Sequence, residues 1–331
     1  MSAGLDFLAI GEVLVDFSST AAGPQGFPQY EALPGGAVAN VAVAMARWGR
    51  RSGFLGCVGE DALGRMLTAT LAQAGVDCRI RSMPRPTSLA MVSLAEGGER
   101  SFAFYWEGTS SAALDRGLAD PDACAGSRIF HSGSVSLSTP PSREVTLAAM
   151  RSAKDGGAVL SFDANLRPAL WGPSGPDREP LLEAMRLADI VKLSEEELGF
   201  LAGLPAGGEL RRDDPETRER MLQVRAATGV ELLFVTFGRD GCRWLGGQGA
   251  GGLASLPVRA LDTTGAGDCF MAGILDAFLA LNLAVGDLGP GDYRAMARRG
   301  VAAGALSTER RGGIPSIPAA AAIQAVIDRG P

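Results

Sequence analysis

The residues Asp262-Thr263-Thr264-Gly265-Ala266-Gly267-Asp268-Cys269-Phe270 form a glycine-bearing turn that runs into an amphipathic helical pattern. That combination handles anions. Glycine lets the backbone approach a ligand closely. The first N–H groups of a helix lack internal partners and carry partial positive charge. Asp268 would stand at the helix start, beside the place where phosphate oxygens bind. A carboxylate there can accept the proton of an attacking hydroxyl. The blander alternative is a carboxylate that only favours the helix dipole. G-A-G-D alone is an unspecific pattern; the leading D-T-T makes it specific.

A second polar group follows the apolar run Ala158–Asp163: Asp163-Ala164-Asn165-Leu166-Arg167. Its side chains would emerge at the C-terminal end of a strand, where open α/β sheets bind ligands. Arg167 can hold nucleotide phosphates or an acidic substrate bidentately. Lysine occurs only as Lys154 and Lys192, and no G-x-x-x-x-G-K-[ST] is present. Phosphate chemistry here would therefore not use a Walker A lysine, and Arg167 is the candidate cationic clamp.

These groups need a scaffold, and the chain alternates short apolar runs with helical patterns. Strands are expected at Phe7–Gly11, Gly53–Val58, Ile129–Gly133, Ala158–Asp163, Ile190–Leu193 and Glu231–Phe237. Helices are expected at 37–48, 62–74, 142–156, 180–187 and 215–228, then at 266–281, 293–307 and 318–328. Such alternation argues for a parallel sheet covered on both faces. Residues 87–95 and 100–106 break the rhythm as two strand-like runs around Glu96-Gly97-Gly98-Glu99, a hairpin signal. With 14–33, which lacks helical periodicity, they would form a small sheet, either a lid or a plain surface hairpin. Residues 246–252 read as a flexible turn.

With 331 residues, 46% hydrophobic and 21% charged, the chain fits one soluble α/β domain with accessory structure. No apolar run reaches the roughly 18 residues of a membrane span. The N-terminus carries Asp6 and no basic segment, so it does not read as a signal peptide, and a cytoplasmic location is expected. A net charge of −6 argues against nucleic acid as a partner. Five widely spaced cysteines without C-x-x-C argue against a disulfide framework or zinc site. The single histidine, His131, argues against a Ser-His-Asp triad and reads as structural.

The segment 262–270 resembles the C-terminal signature of ribokinase-like (PfkB-type) carbohydrate kinases. Gly35-Gly36-Ala37-Val38-Ala39-Asn40 resembles their di-glycine sugar-binding motif. Gly11-Glu12 with Asp16, Gly56-x-Val58-Gly59-x-Asp61-x-x-Gly64, Thr236-x-Gly238-x-x-Gly241 and Gly312-x-x-x-Ser316 extend the likeness over the chain. The D-x-N-x-R-x-x-L-W stretch 163–171, Phe130–Leu137 and Lys192-x-Ser194-x-Glu196-Glu197 look closest to fructokinases.

The resemblance implies a three-layer α/β/α fold with a mainly parallel sheet. It implies one domain over 1–331, with a discontinuous β lid from about 14–34 and 87–107. It implies transfer of the γ-phosphoryl group of ATP to a carbohydrate hydroxyl, D-fructose first. 2-Keto-3-deoxygluconate or another ketose or nucleoside comes second, and a non-catalytic sugar- or nucleotide-binding regulator is the alternative of another class. Asp268 would be the base, with Gly265, Ala266 and Gly267 as anion hole and Arg167 assisting. Asp16, Gly35, Gly36, Asn40 and Tyr105 would hold the sugar. Lys192, Ser194, Glu197, Thr236, Gly238, Gly241, Gly265 and Gly267 would surround ATP. Asp262, Thr264, Gly312 and Ser316 would form a K⁺ site, and Glu197 would organise Mg²⁺ through water. Lid strands of two copies would pair into a homodimer.

Four departures or ambiguities accompany the likeness. Ser194 stands where the family often has asparagine. Glu195 and Glu196 read equally as a solvated helix start. Trp106 stands where fructokinases commonly place arginine; it would stack on a sugar or pack the hairpin. Cys269, at a helix N-terminus, is either an activated thiol or an inert buried one.

Overall fold

The computed structural model describes residues 4–23, 25–94, 100–205 and 208–329. In chain order its strands begin with β1 (Leu5–Ile10), β2 (Leu14–Ala22), β3 (Pro28–Gly35), β4 (Ser52–Gly59), β5 (Asp77–Met83), β6 (Leu89–Leu94) and β7 (Arg100–Tyr105). They continue with β8 (Ser127–Gly133), β9 (Val159–Asp163), β10 (Ile190–Ser194), β11 (Leu232–Thr236), β12 (Cys242–Gly246) and β13 (Gly249–Leu253). The first helices are α1 (Ala37–Arg47), α2 (Ala62–Gln73), α3 (Pro121–Cys124), α4 (Pro140–Asp155) and α5 (Arg178–Leu187). The later ones are α6 (Glu195–Leu201), α7 (Pro215–Thr228), α8 (Ala266–Leu281), α9 (Pro290–Ser307) and α10 (Ala320–Asp328).

Alternation along the strands explains the layers. In β1, Phe7 and Ala9 face one core and Leu8 and Ile10 the other. In β11, Leu232 and Phe234 divide from Leu233 and Val235 in the same way. A strand apolar on both faces needs helices on both faces. Helices α1, α2, α8, α9 and α10 cover one side, and α4, α5, α6 and α7 the other. Phe7, Phe54, Phe130, Phe162 and Phe234 are fully buried between these layers; each such side chain contributes about 1.5–3 kcal/mol on burial. The nine-stranded sheet runs β13-β12-β11-β10-β9-β8-β1-β4-β5. It is parallel from β11 to β5, with β12 and β13 antiparallel at one edge.

A second sheet has the order β3-β2-β6-β7. Strand β2 continues β1 after a short turn, and β3 leads directly into α1, so the two sheets are joined where those strands meet. Asp61 ties β6 to the body: it caps α2 at Gly64 N (2.8 Å) and accepts from Thr87 N (2.8 Å) and Thr87 Oγ1 (2.7 Å).

Several elements escape the sequence reading, β5, β12 and β13 among them. Strand β5, read from Asp77-Cys78-Arg79-Ile80-Arg81, is too polar to announce itself; it forms an edge held by β4 alone. Residues 246–252 are no flexible turn: β13 pairs antiparallel with β12 through Trp244↔Gly251. Glycine is required there, because a Cβ at Gly251 would stand 2.3 Å from the Trp244 ring. The Glu96–Glu99 turn lies outside the described residues.

Candidate active site

The turn before α8 is built by Asp262. One carboxylate oxygen accepts from Thr264 N (2.7 Å) and the other from Gly312 N (3.0 Å). Gly265, left-handed at φ 80°, is the N-cap of α8 and supplies no side-chain cap to it. The helix thus begins with backbone donors directed at the turn, the arrangement that binds anions. Gly312 and Ser316 fall beside this turn, and Gly313 between them lies against Gly265.

Asp268 sits in the first turn of α8 and is buried. Its Oδ2 accepts from Asn40 Nδ2 at 2.7 Å and its Oδ1 from Asn165 Nδ2 at 2.9 Å. Burial raises its pKa, against the two amides and the charges of Lys192 and Arg167, which pull it down. The carboxylate is held in one orientation from three elements: α8, α1 and the loop after β9. Asn165 has no assigned role in the sequence reading, although it lies inside the D-x-N-x-R stretch.

Two cavities meet at this turn. One, of about 330 Å³, lies between the second sheet and the C-terminal ends of β1, β8 and β9. Asp16, Gly36, Asn40, Arg167, Gly265, Gly267 and Asp268 line it, together with Glu12, Phe104, Val135 and Leu170, to which the sequence analysis gave no role. Gly35 lies against the Asp16 carboxylate. The other cavity, of about 550 Å³, is lined by Thr236, Gly238, Gly241, Ala266 and Gly267 with apolar Val258, Phe270 and Val301. Gly267 borders both.

Glu12 does structural work in the smaller cavity. Its Oε1 accepts from Ala37 N (2.7 Å) and Val38 N (3.4 Å), capping α1 where Gly36 has no side chain to do so. Its Oε2 has no hydrogen-bond partner among the described residues. Burial pushes Glu12 up to about 7, with Asp268 adding repulsion, and does the same for Asp16. A carboxyl raised on folding binds more protons in the folded state, so its stability contribution falls as pH rises through the folded pKa. His131, buried and lowered to about 3, works in the opposite direction below its ordinary value. A difference measurement isolates Glu12: the Tm of Glu12→Gln minus that of the wild type rises between about pH 5 and about pH 8 and levels off above. Thermal melts of the ligand-free protein across that range check it; a flat difference would contradict the assignment.

Lys192 and Asp163 form a buried ion pair at 3.0 Å, end to end across β10 and β9. The ammonium lies under the anion-binding turn: a Cβ on Gly267 would stand 2.9 Å from Lys192 Nζ. Lys192 thus places a buried cation against Gly267. Arg167, half-buried, lines the smaller cavity and donates to the carbonyls of Asn165 and Leu166.

The model of pfkB family carbohydrate kinases matches residues 5–320. The chain belongs to that family. Fructokinase-1 of Zea mays is 36% identical over 334 residues, covering 99% of this chain and 100% of the relative. Fructokinase with bound ATP from Xylella fastidiosa matches in structure with TM-score 0.87 at 31% identity, covering 98% of each chain. A double mutant of fructokinase from Vibrio cholerae O395, in a form with fructose, ADP and potassium ion bound, matches with TM-score 0.82 at 32% identity, covering 98% of this chain and 99% of that one.

Several expectations about this kinase need correction. Tyr105, expected at the sugar, is 60% exposed; its neighbour Phe104 lines the cavity. The pleat decides this, since adjacent strand residues point to opposite faces. Trp106 is buried with Ala112, Val135 and Leu170, behind the cavity wall. Like Lys192, also expected at ATP, Ser194 and Glu197 line neither cavity. They form a capping box on α6: Ser194 Oγ accepts from Glu197 N (3.2 Å) and Glu197 Oε2 from Ser194 N (2.7 Å). Glu197 Oε1 accepts from Leu166 N (2.6 Å), which pins the loop carrying Asn165 and Arg167. Both carboxylate oxygens thus accept from backbone N–H groups. Of the two readings of Cys269, the inert buried thiol is the one that fits: burial pushes it up to about 12, with Asp268 adding to the rise. His131 hydrogen-bonds Ser161 in the sheet interior, at 2.9 Å.

Proposed function

We propose that the kinase transfers the γ-phosphoryl group of ATP to a hydroxyl of D-fructose. The observation that carries this reading is the meeting of two cavities at one anion-binding turn, with a fixed carboxylate on the smaller side. The apolar walls of the larger cavity and its border at Gly267 suit a nucleotide whose phosphates reach the start of α8. The smaller cavity presents Glu12, Asp16 and Asp268 against one guanidinium, Arg167. Acceptors in that number favour a neutral polyol and oppose an acid sugar such as 2-keto-3-deoxygluconate. Relatives named as fructokinases make fructose the first choice among polyols.

In this mechanism Asp268 takes the proton of the sugar hydroxyl as its oxygen attacks the γ-phosphorus. The bond to the β,γ-bridging oxygen breaks and ADP leaves with the electron pair. Backbone donors at 265–267 and the Lys192 ammonium take up the charge on the transferring group. Mg²⁺ would arrive with the triphosphate and neutralise its oxygens. Among the described residues, no group of three or more His, Cys, Asp or Glu is placed to hold a metal ion. K⁺ would sit beside the Asp262–Gly312 bridge and stiffen the turn, a reading that the potassium-bound Vibrio relative supports. The second sheet would act as the lid of a single kinase domain, and exposed Phe27, Tyr30 and Tyr105 suit its pairing with a second copy. No helix among the described residues is long and apolar enough to cross a membrane. Five free cysteines suit a reducing, cytoplasmic compartment.

The test is ADP release with MgATP across fructose, 2-keto-3-deoxygluconate, ribose, glucose and a nucleoside. Fructose should lead in kcat/KM by about 10²-fold or more, a margin that unpaired buried polar groups can impose. A lead for 2-keto-3-deoxygluconate would overturn the charge argument. Binding of ATP and sugar without turnover would favour a regulator.

A further inference from the structure

Asn165 is one of only two non-glycine residues with positive φ among those described, at φ 32°. That left-handed backbone costs an L-residue energy, least for Asn and Asp. It is buried, immediately after β9, in a loop fixed at several points. Its own N–H donates to Asp163 Oδ1 (3.2 Å), and Asp163 in turn holds Lys192. The next N–H, of Leu166, donates to Glu197. Arg167 Nη1 donates to the Asn165 carbonyl (3.3 Å). This turn directs Asn165 Nδ2 to Asp268 Oδ1. The opposite oxygen is held from α1 by Asn40.

We infer that Asn165 is a positioning residue for the base, and that its strained backbone is retained because it aims the side-chain amide at Asp268. This rests on the reading of Asp268 as the base. Glycine at this position would relieve the backbone and lose the donor. The amide fixes one oxygen of the carboxylate, so that the other lone pairs meet the sugar hydroxyl in a single geometry. The residue touches the base and acts through it.

Two substitutions separate donor from backbone. Asn165→Gly removes the amide and suits φ 32°; Asn165→Ala removes the same amide and does not. Both should lower kcat to a similar extent, about 10–100-fold, the range of a lost hydrogen bond to a charged group. KM for fructose and ATP should stay within about threefold. Both should melt below the wild type, because buried Asp268 loses a donor, with Asn165→Gly above Asn165→Ala because glycine is free of the backbone strain. Equal loss of activity at unequal stability is the signature expected of a positioning donor. A kcat for Asn165→Gly equal to wild type would overturn the inference. So would activity that tracks stability across the pair, since that marks a merely structural residue. If the wild type showed no sugar-dependent turnover, the proposed activity would fall and this assignment with it. Wild-type turnover with unaltered variants would overturn this assignment alone.

Discussion

Asp268→Asn lowers kcat by about 10²–10⁴-fold, the contribution typical of a positioned general base. KM for sugar and ATP should move by no more than about threefold, because the substitution keeps shape and volume. The fold tolerates the change for a specific reason. Each Asp268 oxygen accepts one amide proton, from Asn40 and from Asn165. The new amide would face one of those donors with its own NH₂ group. Asn40 resolves the conflict by turning its side chain, since its Oδ1 has no partner in the present arrangement. Removing the buried carboxylate also removes repulsion that pushes Glu12 and Asp16 upward. The variant should therefore melt near the wild-type temperature while turnover collapses, because an amide accepts no proton at working pH. Steady-state kinetics in both substrates, with melts on the same preparations, check this. Wild-type kcat would remove Asp268 from the role. Lost turnover accompanied by a large fall in Tm would make it a structural carboxylate.

What the sequence disclosed depended on whether the relevant neighbours lie close along the chain. The turn 262–268 was legible because glycines, carboxylate and helix start are contiguous. The parallel strands were legible because burial on two faces leaves unbroken apolar runs. Relations set by adjacency of distant strands were not. Nothing in the sequence says that Lys192 reaches under Gly267, because that depends on β10 lying next to β9 and below α8. Tyr105 and Phe104 exchanged roles because a pleat is read only to within one residue until its register is known. Cys269 was considered for a helix-terminus effect that lowers thiol pKa; burial, which no local pattern reports, pushes it the other way. Asn165 stood in view within its stretch, but its donor role appears only when the loop after β9 meets α8.

Lys192→Met should cost both stability and activity, and the two losses should separate. The ammonium contacts both oxygens of Asp163, at 3.0 and 3.3 Å, with both side chains buried. Burial acts to lower the Lys192 pKa, but Asp163, Glu197 and Asp268 overcome it and leave the shift upward. Burial pushes the Asp163 carboxyl up, against the pull of Lys192. Removing the cation leaves that carboxyl buried without its counter-charge, a loss of about 3–5 kcal/mol when one partner of a buried pair is deleted. Asp163→Asn in the same chain removes the orphaned charge, so the double variant should recover most of the stability. Turnover should not return. The fixed positive charge beneath Gly267 is gone in both, and loss of one preorganised stabiliser of developing charge costs about 10²–10³-fold in kcat. Denaturant melts and kcat for both single variants and the double variant complete the cycle. Recovery of kcat together with stability would reduce Lys192 to a partner of Asp163. Stability restored without turnover would assign the ammonium to the phosphoryl group, a role this chain fills without a P-loop lysine.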